Sequence, residues 1–348
     1  MKISIKLNSG AREVAGGRSI MEALETLGVA FGVYPGEGEL QAPCKSGGCY
    51  SCLVMVDGLP FRSCVTPVAE GMDIRTKLPA HLIPRRIVHG PLGHSVGGKA
   101  TPWWLKSRSR FIEVAIWTAG CNLRCPQCQN YTTTYDSQTA PVSPDGAAEL
   151  VTFARRSYQV NRMAISGGEP SLNRPWLIGY FQALKRLNPD PEARLHLDSN
   201  GTLLTREYID ELVGVGVTDI GVEPKGVYPE TFMRITGIKD RGLAERFLKT
   251  SWEAVSYLVE QYKGRVFVGV GLPYNRELIS LDEVMEFGER LALIDPFVQL
   301  CVLDYFPSFK RRGLKRPSVD EMLSVKKTLN DAGLKTVIVQ TEAGHRGP

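Results

Sequence analysis

Seven of the eight cysteines fall into two tight groups whose spacing suits iron. Cys121, Cys125 and Cys128 form C-x3-C-x2-C in the run Gly120 to Cys128. Three thiolates this close can hold three irons of a 4Fe–4S cube and leave the fourth open to a small chelating ligand. An electron-storage cluster normally takes four protein ligands. Cys44, Cys49, Cys52 and Cys64 form C-x4-C-x2-C-x11-C, and four thiolates complete a 2Fe–2S cluster. Gly47 and Gly48 let the backbone wrap such a cluster closely and aim N–H groups at sulfur. Zinc would ask for two separated C-x2-C pairs, and only Cys49 and Cys52 make one. Disulfides fit poorly, because the groups are tight and the chain reads as cytoplasmic. Cys301 stands alone.

Both groups need a scaffold. Ile3, Ile5 and Leu7 alternate with polar residues and predict a strand. Arg12 to Ala15 would return across the Ser9–Gly10 turn. Ser19-Ile20-Met21-Glu22 is a capping box opening a helix that Gly28 stops. The 2Fe–2S cysteines follow in a Gly- and Pro-rich loop. From Phe111 onward, strands and helices alternate. Strands are expected over 111–117, 162–165, 194–197, 218–222, 265–270, 297–303 and 335–339. Helices are expected over 145–156, 175–186, 206–213, 243–260, 281–292 and 319–331. Repeated βα units mean a parallel sheet, and this many predict an α/β fold with a partial TIM-like (β/α)6 barrel. Reactive residues should then sit at the strand C-terminal ends. The three-Cys loop follows the first strand, Ser166-Gly167-Gly168-Glu169-Pro170 the second and Asp198-Ser199-Asn200-Gly201-Thr202 the third. Glu223-Pro224-Lys225-Gly226 follows the fourth and Gly271-Leu272-Pro273-Tyr274-Asn275 the fifth.

Residues 1–78 resemble the β-grasp 2Fe–2S domain of the succinate dehydrogenase iron–sulfur subunit, whose last cysteine also follows a short gap. That resemblance implies a small α+β domain made for one-electron transfer. Residues 111–348 resemble the radical S-adenosylmethionine (SAM) superfamily. Within it the chain looks most like the pyruvate formate-lyase-activating-enzyme branch, including Lys225 to Phe232 and Tyr305 to Lys310. The resemblance implies that Cys121, Cys125 and Cys128 ligate a 4Fe–4S cluster whose open iron is chelated by SAM. One electron would then cleave the sulfonium to methionine and a 5′-deoxyadenosyl radical, with the protein positioning the cofactor and excluding water. Gly167, Gly168, Glu169 and Pro170 match the family motif that holds the methionine amino group, Glu169 accepting from the ammonium. Asp198, Asn200, Glu223 and Lys225 match contacts to ribose or the methionine carboxylate; a buried salt bridge between two of them is the structural alternative. Gln127 stands where relatives carry an aromatic residue, leaving its backbone to bind adenine. Cys301 stands where this branch often has a His near SAM. It is a candidate catalytic or hydrogen-donating thiol, against the plainer reading of a buried apolar residue.

The remaining features bound the partners. The chain has 348 residues and net charge +5. No run of 18 apolar residues appears, so no membrane span is expected and the chain should be cytoplasmic. Residues 79–110 hold Pro79, Pro84, Pro91 and Pro102 and four glycines, and are expected to connect the domains. This segment also carries His81, His89, Trp103 and Trp104. Its stretch His94 to Lys99 is expected to pack over the active site or against the 2Fe–2S module. Ile74 to Ile112 lacks Asp and Glu but carries Arg75, Lys77, Arg85, Arg86, Lys99, Lys106, Arg108 and Arg110, and a second basic run is Lys310 to Arg312. Solvated surface explains both; a docking face for an acidic protein, a phosphate or RNA is the sharper alternative. Three functions compete. One is an activase-like radical enzyme fed by its own 2Fe–2S module and an external low-potential donor. The others are an RNA- or cofactor-modifying radical enzyme and a non-catalytic iron–sulfur carrier or sensor. No cobalamin-binding sequence is recognisable.

Overall fold

The structure is a computed structural model that describes residues 1–34, 36–106 and 110–348; Arg108 of the basic stretch lies outside them. The first sheet takes β1 (Lys2–Leu7), β2 (Gly10–Ala15), β5 (Leu53–Val56), β6 (Leu59–Arg62) and β7 (Asp73–Arg75) in the order β2-β1-β7-β5-β6. The short strands β3 (Phe31–Gly32) and β4 (Leu40–Gln41) form a separate ribbon. β1 and β7 run parallel in the middle. Helix α1 (Ile20–Thr26) starts at the Ser19–Glu22 capping box, whose two side chains bond each other's backbone N–H. It turns Ile20, Ala23 and Leu24 onto Ile3, Ile5, Val54, Val56 and Ile74.

The second sheet has eight strands in the order β15-β14-β13-β12-β11-β10-β9-β8. Its strands are β8 (Val88–His94), β9 (Glu113–Thr118), β10 (Arg162–Gly167), β11 (Arg194–Ser199), β12 (Asp219–Val222), β13 (Phe267–Tyr274), β14 (Gln299–Asp304) and β15 (Val337–Val339). All pair in parallel from β9 to β15, while β8 lies antiparallel on β9. The short helix α2 (Tyr131–Thr134) follows the three-Cys loop. The crossovers are α3 (Pro144–Tyr158), α4 (Arg174–Leu187), α5 (Arg206–Gly214), α6 (Pro229–Thr236) with α7 (Arg241–Tyr262), α8 (Leu281–Ile294) and α9 (Val319–Asp331). Their starts carry the expected chemistry: Ser143, Thr205, Asp240, Ser280 and Ser318 each accept a first-turn N–H.

The connecting segment differs from a plain tether. It supplies β8, the edge strand of the larger sheet, whose pairing shifts register between His89 and Leu92. After β8 the chain folds into the barrel interior. Ala100 is fully buried; its carbonyl accepts from Arg162 Nη2 at 3.0 Å, while Gln299 Nε2 donates to the carbonyls of Lys99 (2.7 Å) and Thr101 (2.9 Å). Glycines on two strands, and one in the connector itself, leave the room. A Cβ on Gly269 would lie 2.6 Å from Ala100 Cα, one on Gly221 3.0 Å from Lys99 Cβ, and one on Gly98 2.8 Å from His196. No helix among the described residues is long and apolar enough to cross a membrane.

Candidate functional site

A cavity opens at the C-terminal ends of the parallel strands. Cys121, Cys125 and Cys128 line one side, Ser166 to Gly168 and Asp198 to Asn200 another, and Glu223, Lys225 and Tyr305 the rest. The three-cysteine loop is held by its neighbours. Asn122 accepts from Asn200 Nδ2 at 3.0 Å and donates to Thr202 at 2.8 Å, and Ser308 Oγ donates to the Cys128 carbonyl at 3.0 Å. Burial pushes the Cys121 and Cys125 thiols up, Cys125 to about 11, so a cation has to displace their protons.

The polar floor is a run of buried charges. Lys99, brought in by the connector, lies 3.4 Å from Asp198 and 3.8 Å from Glu223. Lys225 pairs closely with Glu223 and reaches Tyr305 Oη at 3.4 Å. Burial opposes the charge of every member, but the opposite charges win. Asp198, facing Lys99 and His196, and Glu223, facing Lys225 and Lys99, are held below the usual carboxylate range, and Lys225 far above its own. Beneath them His196 lies 3.3 Å from Asp198 and 3.6 Å from Glu113, and Glu113 3.0 Å from His94. Burial pulls the imidazole down, yet Asp198 and Glu113 lift it to about 9.

Four expected residues stand elsewhere. Glu169 does not face the cavity. Its oxygens accept from Ser171 N (3.0 Å), Ser171 Oγ (2.7 Å), Ser199 Oγ (2.8 Å) and Asn200 N (2.6 Å), so the carboxylate clasps the ends of β10 and β11 together. The backbone of Gly167 and Gly168 faces the cavity instead, and a side chain on Gly168 would strike the Gly120 carbonyl. Pro170 is buried behind, its carbonyl bonded by Arg86. Gln127 is fully buried and turned away, donating to the Ile235 carbonyl at 2.8 Å and accepting from Arg311 at 3.2 Å. Its polar amide finds partners there, which an aromatic ring could not use. Cys301 sits mid-strand in β14 beside Gly271 and Ile338, outside the cavity lining, with its thiol pushed up by burial. The placement fits a small apolar filler rather than a reactive thiol. Residues unforeseen as site groups are Lys99, Tyr305 and Arg86; of these Lys99 and Arg86 come from the connector, which no strand-end rule covers.

The other four cysteines lie against this loop. Cys44, Cys49 and Cys52 are buried and Cys64 half-buried. Cys44 stands close enough to Cys49 and Cys64, and Cys52 to Cys64, for the thiols to perturb one another. Among the described residues no three His, Cys, Asp or Glu side chains surround a single metal ion. Four thiols set close together in this way suit a 2Fe–2S group, which takes four cysteine ligands. Gly47 and Gly48 make the cradle: a Cβ on Gly48 would lie 2.6 Å from Ala119 Cβ and 2.7 Å from Gly120 N. In turn a Cβ on Gly120, at φ +82°, would lie 2.9 Å from Cys49 N and 3.1 Å from Cys44 Cβ. Arg124 bridges the two loops, donating to the Cys44 carbonyl and to that of Cys121 at 2.6 Å.

The radical SAM superfamily pattern matches residues 115–286, and a 2Fe-2S iron-sulfur cluster binding domain matches residues 1–79. The chain is 30% identical over 190 residues to 7-carboxy-7-deazaguanine synthase of Hyperthermus butylicus, covering 51% of this chain and 76% of that protein. The chain belongs to the radical SAM superfamily. Radical SAM enzymes work with a 4Fe–4S cluster and SAM, and this one adds a 2Fe–2S domain. It is 33% identical over 132 residues to the AdoMet-dependent heme synthase of Methanosarcina barkeri, covering 36% of this chain and 35% of that one. It is 30% identical over 187 residues to a probable GTP 3′,8-cyclase of Methanococcus aeolicus, covering 54% and 58%. The radical SAM chain thus spans only about a third to three-fifths of the length of these last two relatives.

Proposed function

We propose that the enzyme cleaves SAM reductively at a 4Fe–4S cluster held by Cys121, Cys125 and Cys128. Cys44, Cys49, Cys52 and Cys64 would hold a 2Fe–2S cluster, which would supply the electron. The observation that carries the relay is the Gly120 junction. The cysteine loops touch through Gly120, and Arg124 joins the Cys44 and Cys121 carbonyls, so no solvent-filled gap separates the two ligand sets. The bound cluster and SAM supply a 5′-deoxyadenosyl radical for hydrogen abstraction; the chain's own residues bind and orient. Gly167 and Gly168 offer backbone atoms to the methionine end. Asp198 and Glu223, kept ionised by Lys99 and Lys225, suit ribose hydroxyls, and Lys225 suits a carboxylate. Asn200, 3.9 Å from Cys121 Sγ, orients the cluster loop. An external low-potential donor must reload the 2Fe–2S site.

The substrate we propose is a small nitrogen heterocycle rather than a protein backbone. The three relatives are named for heme, GTP and a deazaguanine, which favours the cofactor-type reading over the activase one. The cavity rim adds a matching surface: Phe309 stacks on Tyr131 with centroids 4.9 Å apart, next to Lys310 and close to Asn130 of the cavity wall. A flat, anionic ring system would use both aromatic and basic groups.

The test is anaerobic turnover of SAM, read as 5′-deoxyadenosine, with a reduced flavodoxin as donor and in parallel with titanium(III) citrate. Cys49→Ser should abolish product with flavodoxin and spare it with titanium(III). Equal loss with both reductants assigns the 2Fe–2S domain a structural role. Deuterium moving from a labelled heterocycle into 5′-deoxyadenosine would identify the substrate class.

A further inference from the structure

Arg86 belongs to neither cysteine motif, yet its side chain is fully buried where the two meet. Its backbone pairs with Val142 in both directions, at 3.1 and 2.8 Å. The next residue, Ile87, donates to the Gly48 carbonyl at 3.4 Å and accepts from Ala119 N at 3.0 Å. On its other side Asn173 Nδ2 donates both to the Arg85 carbonyl (3.3 Å) and to that of Cys49 (2.9 Å). Position 86 is therefore fixed between the 2Fe–2S loop and the strand ends of the radical SAM cavity.

The guanidinium makes three bonds, all to neutral carbonyls: Pro170, Ala119 (3.0 Å) and Glu169. Its Nε is buried with no partner. The groups near enough for a negative charge on them to act on it are the Cys49 thiol, the Glu169 carboxylate, the Cys44 thiol and the Tyr208 phenol. Glu169 offsets part of the charge, but both its oxygens are already taken by Ser171, Ser199 and Asn200. A buried cation held only by carbonyls is costly unless an anion comes near. A 2Fe–2S group with four thiolates is such an anion, and it gains a further negative charge on reduction.

We propose that Arg86 is a fixed-charge tuning residue that raises the electron affinity of the 2Fe–2S cluster, so that this site fills from an external donor before the electron passes inward. The inference rests on the assignment of Cys44, Cys49, Cys52 and Cys64 as cluster ligands. One electron enters the cluster and no proton is required, because the positive charge is already in place.

The experiment is a potentiometric titration of the holoprotein followed by electron paramagnetic resonance, with iron and sulfide content measured on every sample. Arg86→Met keeps the bulk and removes the charge. It should lower the 2Fe–2S midpoint by at least a tenfold change in electron affinity, about 59 mV for one electron. Arg86→Lys keeps the charge, loses the three-carbonyl fork and should hold the midpoint near that of the parent. Arg86→Gln, which retains a donor for one carbonyl, gives the same reading as Met should the latter not load. An unchanged midpoint in a fully loaded neutral variant overturns the proposal, as does an equal drop in the Lys and Met proteins. Absence of a 2Fe–2S signal from the parent protein would instead refute the ligand assignment beneath it.

Discussion

Gly269→Ala is a severe test of the inserted connector. The added methyl would sit 2.5 Å from the Lys99 carbonyl carbon and 2.6 Å from Ala100 Cα, and both are backbone atoms that cannot rotate aside. Overpacking of this kind costs about 1–3 kcal/mol. Displacing the segment also breaks the bond from Lys99 N to Asp198 Oδ1, 3.1 Å long, and hydrogen bonds to charged groups contribute about 1.5–3 kcal/mol. The reduced entropy of the unfolded chain returns only about 0.4–1 kcal/mol. The net loss should be about 2–5 kcal/mol, or on the order of 10 °C in thermal midpoint for a domain of this size. SAM should bind more weakly, because Asp198 and Glu223 lose the ammonium between them, while iron content stays unchanged. The assay is thermal unfolding of the anaerobic holoprotein, with SAM affinity read from the perturbed cluster spectrum. Gly214→Ala is the control: nothing lies within 4 Å of its Cβ position, and it should be neutral or stabilising. A Gly269→Ala protein within about 0.5 kcal/mol of the parent, with unaltered SAM affinity, would refute the tight insertion.

Two further outcomes are expected. His196 is held at about 9 in the folded protein against about 6.5 unfolded. Its contribution is therefore complete below pH 6.5 and lost as pH rises through 9, about 3 kcal/mol in all. Urea unfolding across that window should show the slope, and His196→Gln should flatten it; a flat parent profile contradicts the charged pairing. Gln127→Ala leaves the buried Ile235 carbonyl without its donor and should cost about 1–3 kcal/mol, with SAM affinity kept; a selective loss of SAM binding would return Gln127 to the cavity.

The periodic elements were legible because most carry their own signal: β1 alternates, most of the long helices are capped by Ser, Thr or Asp, and Ser166–Pro170 and Asp198–Thr202 do end β10 and β11. What failed to read was direction. The Gly-Gly-Glu-Pro run named the right loop, but the orientation of Glu169 is decided by donors from Ser199 and Asn200 on the next strand. β8 escaped notice because glycine, proline and a register shift break its alternation. Lys99 was readable only as part of a segment. Its entry depends on Gly221 of β12 and on Gly269 and Gly271 of β13, two strands far apart in the chain that share meaning only once they lie side by side.

That insertion has a consequence for how the protein could be taken apart. A barrel cut free at residue 111 would keep every cysteine of its own motif, yet leave β9 as a raw edge, an open template for pairing with other chains. It would also lack Arg86 behind the strand ends and Lys99 in its floor. Grafting a different electron-transfer domain onto this barrel should therefore succeed only if residues 84–106 travel with the barrel, and a junction placed by the cysteine motifs alone would yield an aggregating protein.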